Sequence, residues 1–352
     1  MSNIFLRRMI GDGYPAYFIA DMAANHDGDL QRAKELIWLA QHAGADCAKF
    51  QTFDADRIVS DHGFRELGKS SHQATWSKSV YETYKDASMP REWIPILAEE
   101  CRKADIDFAS TPYDCEAVAF LYRYVRFYKV GSGDITWLDF LAHVADRGKP
   151  VFLSTGASTI GEVQDAMDVL EGARVVLMQC QTNYTGEDGE NLKHINLRVL
   201  QAYAALWPQC VLGLSDHTRS LPVVLGAVAL GAKVVERHFT DDKTREGPDH
   251  HFSMEPKEWR QMVNAVRELE AALGSPQKRV TEAERETVVL QRRCVRAAED
   301  IEAGQKLTYP VLACLRPCPD DAIRPEDIHK LVGKRTRDQI EKGAAIRWCD
   351  VC

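Results

Sequence analysis

The sequence lacks any long apolar run; none approaches the ~20 residues that a membrane-crossing helix needs. The segment from Met1 to Arg8 has no secretory apolar region. A basic surplus is missing too. Lys and Arg number 44 against 52 Asp and Glu, a formal charge of −8. That balance argues against nonspecific nucleic-acid binding and requires any anionic ligand to meet a local concentration of cations. No G-x-G-x-x-G follows an apolar run, so the dinucleotide fingerprint of a doubly wound open sheet is absent. The ten cysteines are scattered, without the framework of a small secreted domain, and a reducing cytoplasm is the expected setting. Repeats of the solenoid type are not visible.

What the 352 residues do contain is an alternation. Short apolar, β-branched runs at 17–21, 46–50, 107–110, 127–130, 151–154, 175–180, 211–214 and 233–236 are expected to be strands. Amphipathic stretches at 30–42, 93–103 and 161–170 read as helices, the last opening after an N-cap at Ser158 or Thr159. "AGAD" at 43–46 and "LGAKV" at 230–234 each read as a helix stop followed at once by a strand. Eight strand–helix units in this length match an α/β fold of the (β/α)8 TIM-barrel type. Residues 54–90 are too long for one connecting helix and read as an insertion on the barrel rim. The catalytic domain is placed at 1–275, a polar linker at 276–290 and a small second domain at 291–352, where the texture changes to short strand-like pieces and turns.

Active sites in this barrel lie at the C-terminal ends of the strands. Every expected strand here empties into polar, reactive side chains. They are Asp21; Lys49 and Gln51; Ser110, Thr111 and Asp114; Lys129, Ser132 and Asp134; Ser154 and Thr155; Gln179, Thr182, Asn183 and Tyr184; Ser215, Asp216 and His217; and Glu236, Arg237 and His238. In "KVGSGD" (129–134) the two glycines let backbone amides approach a ligand closely. His217 and His238 end consecutive strands, which lie about 4.8 Å apart, so both imidazoles can reach one divalent ion such as Mn2+, Mg2+ or Co2+, with oxygen ligands from substrate or water. Lys49 and Lys129 with the hydroxyls of Ser132, Ser154 and Ser215 make a phosphate cradle. Glu236, two residues before His238, points to the same side of an extended strand and suits a general base beside a metal-bound water; a salt bridge to Arg237 or a lysine is the competing role. Asp249, His250 and His251 follow the eighth strand on a loop that either binds polyols or carries surface histidines.

The ordered motifs "NHDG", "GADCAKFQT", "STPYD", "KVGSGDIT", "STGAS", "GLSDHT", "VVERHFT" and "GPDHHFS" resemble the N-acetylneuraminate (sialic acid) synthase family. The tail from "RRCVRAAEDIEAGQKLT" to "KGAAIRW" resembles that family's antifreeze-like (SAF) domain. The resemblance covers essentially the whole chain. It implies condensation of phosphoenolpyruvate with an open-chain aldose, N-acetylmannosamine or a modified relative, giving a 2-keto-3-deoxy nonulosonic acid and phosphate. By the same resemblance Lys49, Lys129, Ser132, Ser154 and Ser215 contact phosphoenolpyruvate, and His217 and His238 hold the metal. Glu236 handles the proton, Asp21 stands at a carboxylate position of the site, and Gln51, Asp134, Tyr184 and Asp249 face the sugar. It also implies a domain-swapped homodimer in which Arg316 of the small domain extends into the partner subunit's site.

Four departures stand out. Asp21 and Asp134 occupy positions where the family commonly has Glu, and "QCQTNYTG" replaces a pattern nearer His-Cys-Thr-Ser/Asn-x-Tyr-Pro. Thr182 or a shifted Asn183 then serves the phosphate contact. Cys-Pro-Asp-Asp follows "RP" where a glycine turn is usual. These changes leave the reaction class intact and the sugar open among acetamido, deoxy diamino and unmodified hexoses. A 3-deoxy-octulosonate phosphate type of synthesis would need a second phosphate cradle, and no second basic cluster is evident. A sugar-binding barrel without activity would have lost some of Lys49, Lys129, His217, Glu236 and His238. Cys314, Cys318, Cys349 and Cys352 differ in spacing and read as incidental pairs rather than a zinc site. Trp76, Tyr81, Tyr84 and Trp93 read as packing of the rim insertion.

Overall fold

The computed structural model describes residues 3–68, 76, 78–183 and 192–352. Two compact units divide at Gly274 and Ser275. In the first, a short hairpin of β1 (Ile4–Phe5) and β2 (Met9–Ile10) precedes eight parallel strands: β3 (Tyr17–Asp21), β4 (Cys47–Thr52), β5 (Asp107–Pro112), β6 (Tyr128–Val130), β7 (Val151–Ser154), β8 (Val175–Cys180), β9 (Val211–Asp216) and β10 (Val234–His238). Their order is β5-β4-β3-β10-β9-β8-β7-β6, with β5 and β6 adjoining. This is the eight-stranded parallel barrel with helices outside it. Four of the eight, β4, β5, β9 and β10, run two residues further at the C-terminal end than their apolar runs suggest, because the polar residues there are still hydrogen-bonded in the sheet.

Alternation sorts each strand into two faces. Phe18, Ala48, Phe50, Tyr128, Leu153, Leu177, Leu214 and Val235 face outward and are buried with the helices in the main core. Inside, the lower barrel is filled by Tyr17, Ile19, Cys47, Ala109, Phe127, Phe152, Val176, Met178, Val211 and Val234, closed below by Ile4, Leu6 and Ile10. Gly213 leaves the room Met178 uses, since a Cβ there would lie 2.8 Å from the Met178 Cγ. The apolar plug ends one step below the C-terminal rim, so the next inward residue on each strand opens upward.

Helices arise where the periodicity places them. Leu30–Ala43 is capped by the Asp29 carboxylate, which accepts from the amides of Gln31 and Arg32, and stops at Gly44 in the left-handed region, φ 94°. Ile160–Val169 opens with a capping box between Thr159 and Glu162. The rim insertion carries Ala55–Ile58, Asp61–Leu67 and Val80–Ala87. In the second unit β11 (Cys294–Ala297) pairs antiparallel with β12 (Leu312–Leu315) over a small core that includes Val295, Ile301, Leu307, Ile323, Leu331 and Ile346. Residues expected to be linker include a helix at Arg285–Gln291. Among the described residues no helix is long and apolar enough to cross a membrane.

Candidate active site

Strand register builds the site. Glu236 is paired with Ser215 on one side and Ile19 on the other, Ser215 with Cys180, and His238 with Asp21, which is paired with Lys49. Ser215 and Cys180 thus stand level with Glu236, and Asp21 and Lys49 level with His238 two residues nearer the rim, across five strands in all. They line a cavity of about 280 Å³ together with Lys129, Ser132, Ser154, Gln51, His217 and Asp249.

Four charges share its floor, each at most 4% exposed. The Lys49 Nζ lies 2.7 Å from Asp21 Oδ2 and 3.5 Å from Glu236 Oε1. Lys129 Nζ lies 3.4 Å from that same Glu236 oxygen and donates to Ser154 Oγ at 2.7 Å. Burial works against the Lys49 ammonium, yet Asp21 and Glu236 together hold its pKa above the ordinary value. For Lys129 burial wins, and its pKa falls below the ordinary value although Glu236 opposes the fall. Ser215 Oγ donates to Glu236 Oε1 at 3.4 Å. The second oxygen, Oε2, is buried with no hydrogen-bond partner, an acceptor aimed at a donor that the protein does not supply.

The rings of His217 and His238 are 5.4 Å apart. Burial, reinforced by the charge of His238 in the first case and of Lys49 in the second, pushes each imidazole down to about 3. Both are neutral at physiological pH, the form that ligates metal. His217 Nδ1 donates to the Gln181 carbonyl at 3.0 Å, which puts the lone pair on Nε2. His238 Nδ1 is buried without a hydrogen-bond partner. This donor set fits a divalent cation that takes its other ligands from water or substrate. Among the described residues no three His, Cys, Asp or Glu side chains are grouped to hold a metal by themselves, Cys314, Cys318, Cys349 and Cys352 included.

Asp249 lies on the loop after β10, where its Oδ2 accepts from the Ala24 amide at 3.2 Å, and burial pushes its pKa up to about 7. Asp134 is pushed up to about 6, also by burial, and its Oδ2 has no hydrogen-bond partner. Among the described residues Asp134, Thr182 and Asn183 do not line the cavity. Thr182 packs instead against Gly156, where a Cβ would meet its Cγ2 at 2.5 Å and the Ser132 Oγ at 2.9 Å. Tyr184 lies outside the described residues. Arg316 is exposed on the second unit.

Three readings need correction. Trp76 and Tyr84 are not only rim packing, because both line the cavity with Phe53, Ile58 and Tyr113. Their rings form a wall: Phe53 and Tyr84 are 5.6 Å apart, Phe53 and Tyr113 5.7 Å, Trp76 and Tyr84 6.5 Å. Tyr81 instead donates to Asp56, and Trp93 packs edge-on against His26. His250 is not a surface residue but fully buried. Among the strand-end hydroxyls, amides and acids, Ser110, Thr155, Gln179, Asp114 and Asp216 serve structure: Ser110 and Thr52 share a hydrogen bond, Thr155 and Gln179 donate to backbone carbonyls, Asp114 caps Cys115–Leu121, and Asp216 pairs with Arg237. Cys180 was the missed member of the ring; as a small apolar residue ending a strand it gave no polar signal.

Comparison with known proteins now decides the family. Residues 36–278 match the NeuB family and residues 292–351 the SAF domain. The chain belongs to the NeuB family. Among its relatives, N,N'-diacetyllegionaminic acid synthase of Legionella pneumophila is 34% identical, with 96% of this chain and 95% of the relative covered. Human N-acetylneuraminate-9-phosphate synthase is 33% identical, with coverage of 96% and 93%. The solved N-acetylneuraminic acid (sialic acid) synthetase of Leptospira borgpetersenii superposes with a TM-score of 0.71 at 27% identity, covering 82% of this chain and 95% of that one. This NeuB-family chain is thus an enzyme of the carbon–carbon bond-forming synthase type, a barrel followed by an SAF domain.

Proposed function

We propose that this enzyme condenses phosphoenolpyruvate with the aldehyde of an open-chain aldose and water, giving a 2-keto-3-deoxy nonulosonic acid and phosphate. One observation carries the reading. Glu236 sits between two buried lysines with an unpartnered carboxylate oxygen, beside two neutral imidazoles, in a single cavity. Lys49 and Lys129, with Ser132, Ser154 and Ser215, neutralise and orient the phosphate and carboxylate of phosphoenolpyruvate. A divalent ion such as Mn2+, Mg2+ or Co2+, held by His217 and His238, would polarise the aldehyde oxygen. Carbon 3 of the enol attacks the aldehyde carbon, whose oxygen ends as a hydroxyl by receiving the proton that Glu236 takes from water. Glu236 Oε2 takes a proton from the water that adds at carbon 2, and phosphate leaves with its C–O bond broken. Asp21 holds the Lys49 ammonium in place throughout.

The wall of Phe53, Trp76, Tyr84 and Tyr113 favours a sugar with an apolar substituent, an acyl or deoxy group, over a fully hydroxylated hexose. Among the described lining residues the cations are Lys49 and Lys129, both already committed, which favours an unphosphorylated sugar. Gln51 and Asp249, which line the cavity, are with Tyr184 the proposed sugar contacts; Asp134, set back from the cavity, is left out of that set. Completion of the sugar site by Arg316 of a partner subunit belongs to the same proposal, as does the homodimer. Phosphate release from phosphoenolpyruvate with a panel of aldoses tests it: N-acylated deoxyhexoses are expected to be turned over well, unmodified and phosphorylated sugars poorly. Release with none of them removes the reading and leaves a binding barrel.

A further inference from the structure

His250 is fully buried, adjoins a proposed sugar contact, and takes no part in the reaction as described. Its Nε2 donates to Asp27 Oδ1 at 2.9 Å, and its Nδ1 is 2.8 Å from Thr240 Oγ1. Asp27 belongs to the loop after β3, Thr240 to the loop after β10. One imidazole therefore ties together the two loops that flank His238 and Asp21.

The rest of the junction is built around the same link. Arg32 pairs with Asp27 at 3.1 Å and with Asp241, and its Nε donates to the Asn25 carbonyl at 2.8 Å. Asn25 Nδ2 donates to Phe239 O and to Ser253 Oγ, both at 2.9 Å, and Ser253 Oγ donates to the Asp249 carbonyl at 2.6 Å. Gly247 is pressed against the ring, where a Cβ would lie 2.7 Å from His250 Cδ2. The loop after β10 can close over His250 only with glycine at that point. What the junction holds steady is the meeting of the Ala24 amide with Asp249 Oδ2 at the cavity wall.

We propose that His250 is a positioning residue for the aldose: by bridging Asp27 and Thr240 it holds Asp249 on the Ala24 amide, facing the cavity. The inference rests on the reading of Asp249 as a sugar contact. It predicts a specific asymmetry, because phosphoenolpyruvate is held by residues on other strands and does not depend on this junction.

The test is His250→Leu, which keeps the volume and removes both hydrogen bonds, alongside Asp27→Asn, whose side-chain oxygen can still accept from Nε2. Losing a part-buried bond to a carboxylate of this kind corresponds to about a tenfold change. His250→Leu is expected to raise KM for the aldose by that factor, with KM for phosphoenolpyruvate within about twofold; Asp27→Asn, which keeps the acceptor for Nε2 but gives up the charge facing Arg32, is expected to raise KM for the aldose less, again sparing phosphoenolpyruvate. A parallel rise in both KM values, or none, overturns the proposal. Hydrogen–deuterium exchange read by mass spectrometry provides a measure independent of turnover. His250→Leu is expected to speed exchange in residues 22–28, and unchanged exchange there also overturns it. If the wild-type protein condenses no aldose at all, the reaction assignment fails, and the exchange data alone decide whether the junction positions Asp249.

Discussion

Replacing Glu236 by Gln keeps the shape of the site and removes one negative charge from between two ammonium groups. At 3.4 and 3.5 Å and an effective dielectric of about 20, each attraction is worth about 5 kcal/mol before desolvation. Removing one partner from a buried ionic cluster typically costs about 3–5 kcal/mol, because the remaining charges are left uncompensated. Lys129 has a way out: burial already holds its pKa below the ordinary value, and without Glu236 it falls further. The sign then follows. A lysine whose folded pKa is depressed binds fewer protons folded than unfolded, so stability rises with pH between the folded value and the ordinary one. Glu236→Gln is therefore expected to be destabilised by about 3–5 kcal/mol near pH 7, with the deficit shrinking as pH approaches 10. Urea denaturation across that range, followed by far-ultraviolet circular dichroism, measures it. A deficit that stays constant with pH, or a variant as stable as wild type at pH 7, would refute the charge arrangement described here.

Burial raises Asp134 to about 6, so the folded state favours its neutral form; that contribution is present below the ordinary carboxylate range and is lost as pH rises through 6. Asp134→Asn should accordingly stabilise the protein at pH 8 and not at pH 4, read from denaturation midpoints at the two pH values. Chelation followed by dialysis should abolish phosphate release, Mn2+ should restore it, and His217→Ala or His238→Ala should weaken Mn2+ binding in calorimetry at least tenfold. Trp76→Ala and Tyr84→Ala should raise KM for an acylated aldose several-fold while sparing KM for phosphoenolpyruvate. Mixing two inactive variants, Arg316→Ala and Lys129→Met, should restore a fraction of activity if each subunit completes its partner's site.

The barrel was legible because its strands and helices announce themselves by period and by residue type, and because reactive side chains collect where strands end. Glu236 and His238 illustrate the reach of that logic: a spacing of two places both on one face. Their partners are a different matter. Nothing in the spacing says that His238 pairs with Asp21 or that Glu236 faces both Lys49 and Lys129; strand register and the closing of the sheet decide it. Trp76 and Tyr84 were misread because amphipathicity tells which face of a rim helix is apolar, not whether that face meets the core or a cavity mouth. His250 was misread for a related reason. Its carboxylate partner Asp27 lies 223 residues earlier, so a polar loop in the sequence became a buried hinge between two loops. The polar ends Ser110, Asp114, Thr155 and Gln179 show the opposite error, since the same chemistry that suits a ligand also satisfies caps and backbone carbonyls.

The most direct test follows the oxygen that bridges carbon 2 and phosphorus. Phosphoenolpyruvate labelled with 18O at that position is incubated with an accepted aldose, and both products are weighed by mass spectrometry. The account predicts that the label departs with phosphate and that the keto acid gains three carbons over the sugar. Label retained at carbon 2, or phosphate released without a carbon–carbon product, would contradict it.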